Sequence, residues 1–182
     1  MSQKDSAKTK KIKSLILDLR PGDVNRQLKA VKSLKVHGDH TVVIPLLDVL
    51  SNADDEKLRN EIIETLNSVK LTSVPPVIAK ALGDDKYASI RQILLSSIWN
   101  SGLDYREYLA DIIKAAVKGE MMDALECITI IENIEEELSE EHIMEAQLIL
   151  NEYLVNHKDE TSQKNEMLKE IALILQERND LL

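Results

Sequence analysis

The sequence repeats itself at an interval of 31 to 32 residues. The stretch DDEKLRNEIIETL at residues 54–66 returns in altered form as DDKYASIRQILLSSI at residues 84–98. Both copies begin with two aspartates and place an arginine, Arg59 or Arg91, directly after an aliphatic residue. Repetition at such a period is typical of proteins built from stacked structural units, each of which buries its apolar face only against its neighbours.

Within each copy, the apolar residues follow the 3.6-residue spacing of one helix face. A shorter apolar segment precedes each of these helices, and the last leucines of the three segments, Leu19, Leu50 and Leu82, are 31 and 32 residues apart. One unit is therefore predicted to be a short helix, a turn and a second helix. The predicted apolar face of the second helices consists of Ala30, Val31 and Leu34, then Leu58, Ile62, Ile63 and Leu66, then Ile90, Leu94, Leu95 and Ile98.

This pattern predicts an all-α fold, an α-α superhelix of about five helical hairpins. Residues 1–12 are predicted to be a flexible basic N-terminus, and residues 13–182 a single solenoid domain. The hairpins are predicted at about 13–38, 39–70, 71–102, 103–137 and 139–182, the last of which diverges from the pattern and forms a cap.

Composition supports a helical protein with an aliphatic core. Of the 182 residues, 43% are hydrophobic and 30% charged, only five are glycine, and phenylalanine is absent. The single cysteine, Cys127, excludes an intramolecular disulfide and is predicted to be a buried, inert thiol. No apolar run approaches the ~20 residues that cross a bilayer, and the polar, basic N-terminus is unlike a secretory signal. We therefore expect a cytoplasmic protein that is not inserted in a membrane.

The stretch VIPLLDVLSNADDEKLRNEIIETLNSV strongly resembles the short class of HEAT repeat, which runs from aliphatic–Pro–x–Leu through an acidic turn to an aliphatic–Arg pair. Residues 74–102 match this pattern with one residue shifted in the turn. Residues 13–38 match without the proline and with Gln27 in place of the arginine, and residues 103–137 match only in outline. The resemblance implies a right-handed superhelical stack whose second helices line one concave side.

The resemblance also implies a ladder between adjacent repeats, formed by a turn aspartate and a helix arginine. By position, Asp55 with Arg59 and Asp85 with Arg91 take these roles, which are structural ones.

Residues that could carry catalysis or hold a metal ion form no recognisable motif. The sequence contains no phosphate-binding loop, no nucleophile elbow and no Cys-x-x-Cys pair. His37 and His40 flank a glycine and Asp39, so a metal pair is conceivable there, but the pattern favours a solvated turn. His142 and Glu145 could share a helix face, yet no second such pair completes a carboxylate-bridged site. We predict no enzymatic activity, no cofactor and no metal site.

Charge is distributed unevenly along the chain. Residues 1–35 carry a net charge of +7, residues 36–118 of −3 and residues 119–182 of −13. The acidic stretch EEELSEEH at 135–142 suits either a basic partner or a solvated helix boundary, and the second reading is favoured. The asymmetry indicates either two electrostatically different faces or ends that are charged for solubility.

The solvent side of the predicted second helices is the best candidate for a functional surface. Trp99 has two readings, an interface anchor or a side chain packed under the next repeat, and both stay open. The predicted partner-binding residues run from lysines through mixed polar side chains to this only tryptophan: Lys29, Lys32, Lys35, Asn60, Glu64, Asn67, Gln92, Ser96 and Trp99.

Two classes of function fit these observations. The first is a non-enzymatic scaffold that binds a protein of unknown identity on the concave face formed by the second helices. The alternative is a nucleic-acid-binding protein, because some DNA glycosylases resemble HEAT stacks. The central repeats are net negative, so nucleic acid could bind only at the basic N-terminal end, and the sequence favours a protein partner.

Overall fold

The computed structural model describes residues 3–158 and 160–180, with side chains from residue 7 onward. Over these residues the chain forms ten α-helices and no β-strand, which confirms the predicted all-α class. Short 3₁₀ turns precede three of the helices. The helices are α1 (Gln3–Asp18), α2 (Val24–His37), α3 (Val43–Leu50), α4 (Glu56–Ser68), α5 (Pro75–Leu82), α6 (Arg91–Ser101), α7 (Leu109–Lys118), α8 (Met121–Glu132), α9 (Glu140–Asn156) and α10 (Gln163–Asn179).

Consecutive helices pair into five hairpins that stack in two layers. The second helices form one layer, in which α2 packs on α4, α4 on α6, α6 on α8 and α8 on α10. In the other layer α3 packs on α5, α5 on α7 and α7 on α9, while α1 packs on α2. This arrangement is that of an α-α superhelix. None of the helices in the described part of the chain is long and apolar enough to cross a membrane.

Two helix boundaries differ from the sequence-based expectation. The first helix begins at Gln3, within the segment 1–12 that we expected to precede the fold; residues 1 and 2 lie outside the described part. Lysine is a good helix former, so the helix that buries Ile12 extends towards the N-terminus through a lysine-rich segment. Asp104 and Glu107 have the spacing of a capping box and so predict a helix start at Asp104, but α7 begins at Leu109, after a 3₁₀ turn in which the Asp104 carboxylate accepts hydrogen bonds from Arg106.

The helix ends follow local sequence signals. The side chain of Asp55 accepts a hydrogen bond from the Leu58 amide at 2.9 Å and so begins α4. Ser139 begins α9 in the same way, by accepting from the His142 amide, and the two glutamates that follow it suit the start of a helix. Gly102 ends α6 with φ 60, a left-handed conformation that favours glycine.

The core is a continuous aliphatic seam that runs the length of the stack. The predicted apolar positions of α4 and α6, such as Leu58, Ile62 and Leu94, are almost completely buried. Cys127 lies in the same seam, and burial raises the pKa of its thiol well above the ordinary value. A buried thiol that resists ionisation is chemically inert, as predicted.

Both arginines of the predicted ladder are used structurally, with partners other than those expected. Arg59 donates to the backbone carbonyls of Leu50 at 2.6 Å and Ala53 at 3.3 Å, and thereby caps the end of α3. Asp55 is occupied at the start of α4, where its side chain accepts from the Leu58 amide.

Arg91 is buried and pairs with an aspartate of the following hairpin. Its Nη1 lies 3.9 Å from Oδ2 of Asp123, which is also buried. The same carboxylate accepts a hydrogen bond from the Glu120 amide at 2.8 Å and so begins α8. Asp85, the expected partner, is exposed and pairs with Lys118 of α7. Arg91 therefore connects α6 to α8 through an aspartate that the repeat pattern does not contain.

Gly119 brings the chain against the Asp123 side chain at the start of α8. A Cβ at this position would lie 2.1 Å from Oδ2 and 2.7 Å from Cβ of Asp123. A side chain larger than hydrogen is thus excluded unless the carboxylate moves away from Arg91.

We expect Arg91→Ala to destabilise the fold by about 3 kcal/mol, because the Asp123 carboxylate would stay buried without its cation. Urea denaturation followed by circular dichroism measures this loss. Arg26→Ala is the matched control, since the Arg26–Asp18 pair is exposed and contributes about 0–1 kcal/mol. Equal stability of the two variants would show that the buried pair does not hold α6 and α8 together.

We expect Gly119→Ala to lower the free energy of unfolding by about 1–3 kcal/mol through overpacking against Asp123. Gly83→Ala is the control, because a Cβ added there would meet nothing closer than the Lys80 carbonyl oxygen, 3.6 Å away. Urea denaturation of both variants measures their free energies of unfolding. A Gly119→Ala protein as stable as Gly83→Ala would contradict the predicted overpacking against Asp123.

Candidate partner-binding face

The predicted partner-binding residues lie on α2, α4 and α6, which are neighbours in the second-helix layer. At the α2–α4 step the lysines are paired with glutamates. Lys35 Nζ lies 2.6 Å from Glu64 Oε1, and Lys32 Nζ lies 3.7 Å from Glu61 Oε2. The hydrogen bond from Lys35 lowers the pKa of Glu64. The basic stripe expected here is therefore largely neutralised by its neighbour.

The remaining polar positions differ in how much they offer to a partner. Lys29 and Asn60 are exposed. Asn67 is half-buried, and its Oδ1 accepts no hydrogen bond from the described residues. Ser96 is half-buried and accepts a hydrogen bond from Asn100 at 3.3 Å. Lys29 and Asn60 are thus the most available side chains of this part of the face.

Trp99 belongs both to the surface and to the contact with the next hairpin. Its indole N–H donates to Oε2 of Glu126 on α8 at 2.9 Å, and Gln92 donates to Oε1 of the same carboxylate at 3.4 Å. Trp99 nevertheless remains 38% exposed. The N–H edge of Trp99 is therefore fixed by the neighbouring hairpin, while part of the residue faces solvent; its role as an interface anchor stays a prediction.

A cavity of about 400 Å³ opens beside Trp99, where α6 and α8 both end. Its apolar lining includes Ile98, Leu103, Tyr105, Ile130 and Ile134.

Carboxylates surround this cavity, namely those of Asp104, Glu135 and Glu136. Arg106 binds both oxygens of Asp104, at 3.0 and 2.8 Å, and these hydrogen bonds lower the pKa of Asp104. The cavity thus combines an aromatic wall, an aliphatic lining and an ionised rim.

Glu126 and the cavity were missed by the sequence-based prediction. The fourth hairpin follows the repeat pattern only in outline, so the register of α8 against α6 could not be read from it. No fixed offset identifies Glu126 either, because its contacts with Trp99 and Gln92 span 27 and 34 residues, whereas the Lys35–Glu64 contact of the first hairpins spans 29.

The histidines and the acidic stretch form no chemical centre in the described part of the chain. His37 ends α2 and His40 lies in the following turn, where Asp39 is bound by the amide and hydroxyl of Thr41 at 2.9 and 2.5 Å. His142 lies in the first turn of α9. No group of three or more histidine, cysteine, aspartate or glutamate side chains suited to a metal ion occurs among the described residues.

Comparison with known proteins finds no match to any family model, to any curated protein or to any solved structure.

We expect the fluorescence of Trp99, the only tryptophan, to report this geometry directly. Because the side chain is partly exposed, acrylamide should quench its emission in the native protein. Glu126→Ala removes the acceptor of the indole N–H, so it should shift the emission maximum and increase quenching, at a cost of about 1 kcal/mol in stability. Emission that is blue-shifted and resistant to quencher in both proteins would contradict the exposed position.

Proposed function

We propose that this chain is a non-enzymatic scaffold of the short HEAT class that binds a protein partner along its second-helix face. The single observation that carries the proposal is the position of Trp99, a partly exposed aromatic side chain beside a cavity with aliphatic and charged lining, on the same layer as the predicted polar row. Tryptophan is enriched among residues that contribute most to binding, and such residues tend to occupy pockets near the centre of an interface.

The charge pattern of the face suits a protein segment better than a nucleic acid. Phosphate binding requires cations that are free to replace counterions, whereas Lys32 and Lys35 already pair with glutamates of α4. Around Trp99 the ionised groups are mostly carboxylates. A mixed surface of this kind gives a protein partner orientation and specificity, and it would repel a duplex along most of its length.

One further feature supports the assignment to the short HEAT class. The sequence pattern of residues 39–102 folds into successive two-helix units whose second helices pack on one another. We further propose that the protein acts in the cytoplasm and without a cofactor, since nothing in its polar residues suggests a reaction.

The partner is expected to lie along the row from Lys29 and Asn60 to Gln92 and Trp99. Proteins from a lysate of the source organism would be captured on the immobilised chain and identified by mass spectrometry, and the purified partner would then be titrated. Trp99→Ala should weaken binding by about 2 kcal/mol or more, which is about 30-fold in Kd. Calorimetry measures Kd, and urea melts establish that the variant stays folded.

A matched pair of charge variants locates the partner on one layer. Lys29→Glu lies on the second-helix layer and should weaken binding, whereas Lys80→Glu lies on α5 in the other layer and should not. Equal effects of the two variants, or an unchanged Kd for Trp99→Ala, would contradict the proposed face. Binding of a short DNA duplex that falls with added salt and is lost in Lys29→Glu would favour the nucleic-acid alternative instead.

A further inference from the structure

The outer side of α9 carries a row of exposed apolar side chains. Met144, Leu148 and Val155 are 60%, 69% and 69% exposed, and together with Asn151 they recur at spacings of four, three and four residues. That spacing places them on one stripe of the helix. The buried residues of α9, such as Ile143 and Leu150, lie on the opposite side, where the helix packs on α7.

Helix α10 continues this apolar surface. Leu173 is 55% exposed, and together with Leu154 and Ala172 it lines a groove of about 470 Å³ between α9 and α10. We call this surface, formed by Met144, Leu148, Leu154, Val155, Ala172 and Leu173, the apolar end face. End repeats of a solenoid usually present a polar outer surface, and contiguous exposed apolar patches mark interaction sites.

Carboxylates flank the apolar end face. Glu140 and Glu141 lie in the first turn of α9, beside Met144, and neither forms an ion pair with the described residues. Residues 119–182 as a whole carry a net charge of −13. An occupant of this face must therefore present apolar contact next to positive charge.

The opposite end of the stack presents that combination. On the solvent side of α1, Lys10, Lys13 and Leu17 are exposed at spacings of three and four residues, and Leu17, which is 53% exposed, also lines a groove between the first hairpin and α3. Ile12 and Leu19 are buried on the opposite side, where α1 and the turn after it pack against α2. Residues 1–35 carry a net charge of +7.

We propose that copies of this chain associate head to tail, with α1 of one copy docked on the apolar end face of the next. Lys10 and Leu17 are seven residues apart, and so are Glu141 and Leu148. When α1 of one copy runs parallel to α9 of the next, Lys10 can therefore approach Glu141 while Leu17 meets Leu148. Parallel pairing of α9 with α9 of another copy would instead bring Glu140 and Glu141 of both helices together, and like charges at such a contact are unfavourable.

Such a contact joins two different surfaces of the same chain, so each copy keeps one free end and the assembly can grow. The second-helix face with Trp99 lies along the side of the stack and stays accessible. Self-association is thus independent of partner binding on the second-helix face, and an experiment can contradict either proposal without affecting the other.

Sedimentation velocity over a range of protein concentrations tests the association. The unaltered chain should form dimers and larger species whose population rises with concentration and falls with added salt. Leu148→Glu should raise the concentration needed for association by about tenfold or more. Leu71→Glu, at an exposed leucine between α4 and α5, is the matched control and should associate like the parent.

A mixing experiment separates head-to-tail contact from other modes. Leu148→Glu blocks one surface, and Lys10→Glu with Lys13→Glu blocks the other, so each protein alone should be monomeric. Mixed, the two retain one intact surface each and should form a one-to-one dimer. Circular dichroism establishes folding, and Leu148→Ser and the lysine-to-glutamine variants repeat the test if a charged variant does not fold.

Three outcomes would overturn the proposal. The parent chain could remain monomeric at every concentration, the lysine variant could dimerise as well as the parent, or the mixture of blocked variants could stay monomeric. The second of these would point to pairing of two apolar end faces.

Discussion

Stacking of each helical hairpin on the next is the interaction on which the whole molecule depends. A single hairpin of this length cannot bury two apolar faces by itself, so its stability comes from its neighbours. Helix α6 shows this most clearly, because it packs against α4, α5 and α8 and buries Arg91 and Ser101 as well as its aliphatic residues. A change at the centre of the stack is therefore felt by units on both sides.

Polar contacts between hairpins fall into two groups that contribute differently to the stability of the fold. Exposed pairs such as Lys35 with Glu64 are screened by solvent and contribute little to stability. The buried pair of Arg91 and Asp123 is different, because removal of either partner leaves a charge in the aliphatic seam. That pair also ties the start of α8 to α6, and Gly119 gives the aspartate the space it needs.

The two candidate interaction surfaces are separate and chemically unlike. The second-helix face is polar, with one aromatic residue and a cavity that has an ionised rim. The apolar end face presents aliphatic side chains, with Gln147, Asn151, Lys169 and Gln176 beside them in the groove between α9 and α10. A stack of hairpins has both a side and two ends, so the two proposed contacts use different surfaces of the chain.

Sequence periodicity by itself determined the helices, the two-helix unit and the aliphatic positions that are buried. Leu58, Ile62 and Leu94 were identified because helix geometry is local and repeats every 3.6 residues whatever the neighbours are. The start of α9 at Ser139 was predictable for the same reason, since a helix cap is a contact within one turn. Tertiary structure decided which side chains meet across hairpins. Asp123 as the partner of Arg91, and Glu126 as the acceptor for Trp99, depend on the register of one helix against another. Periodicity places a residue on a face of its own helix but carries no information about what lies opposite that face.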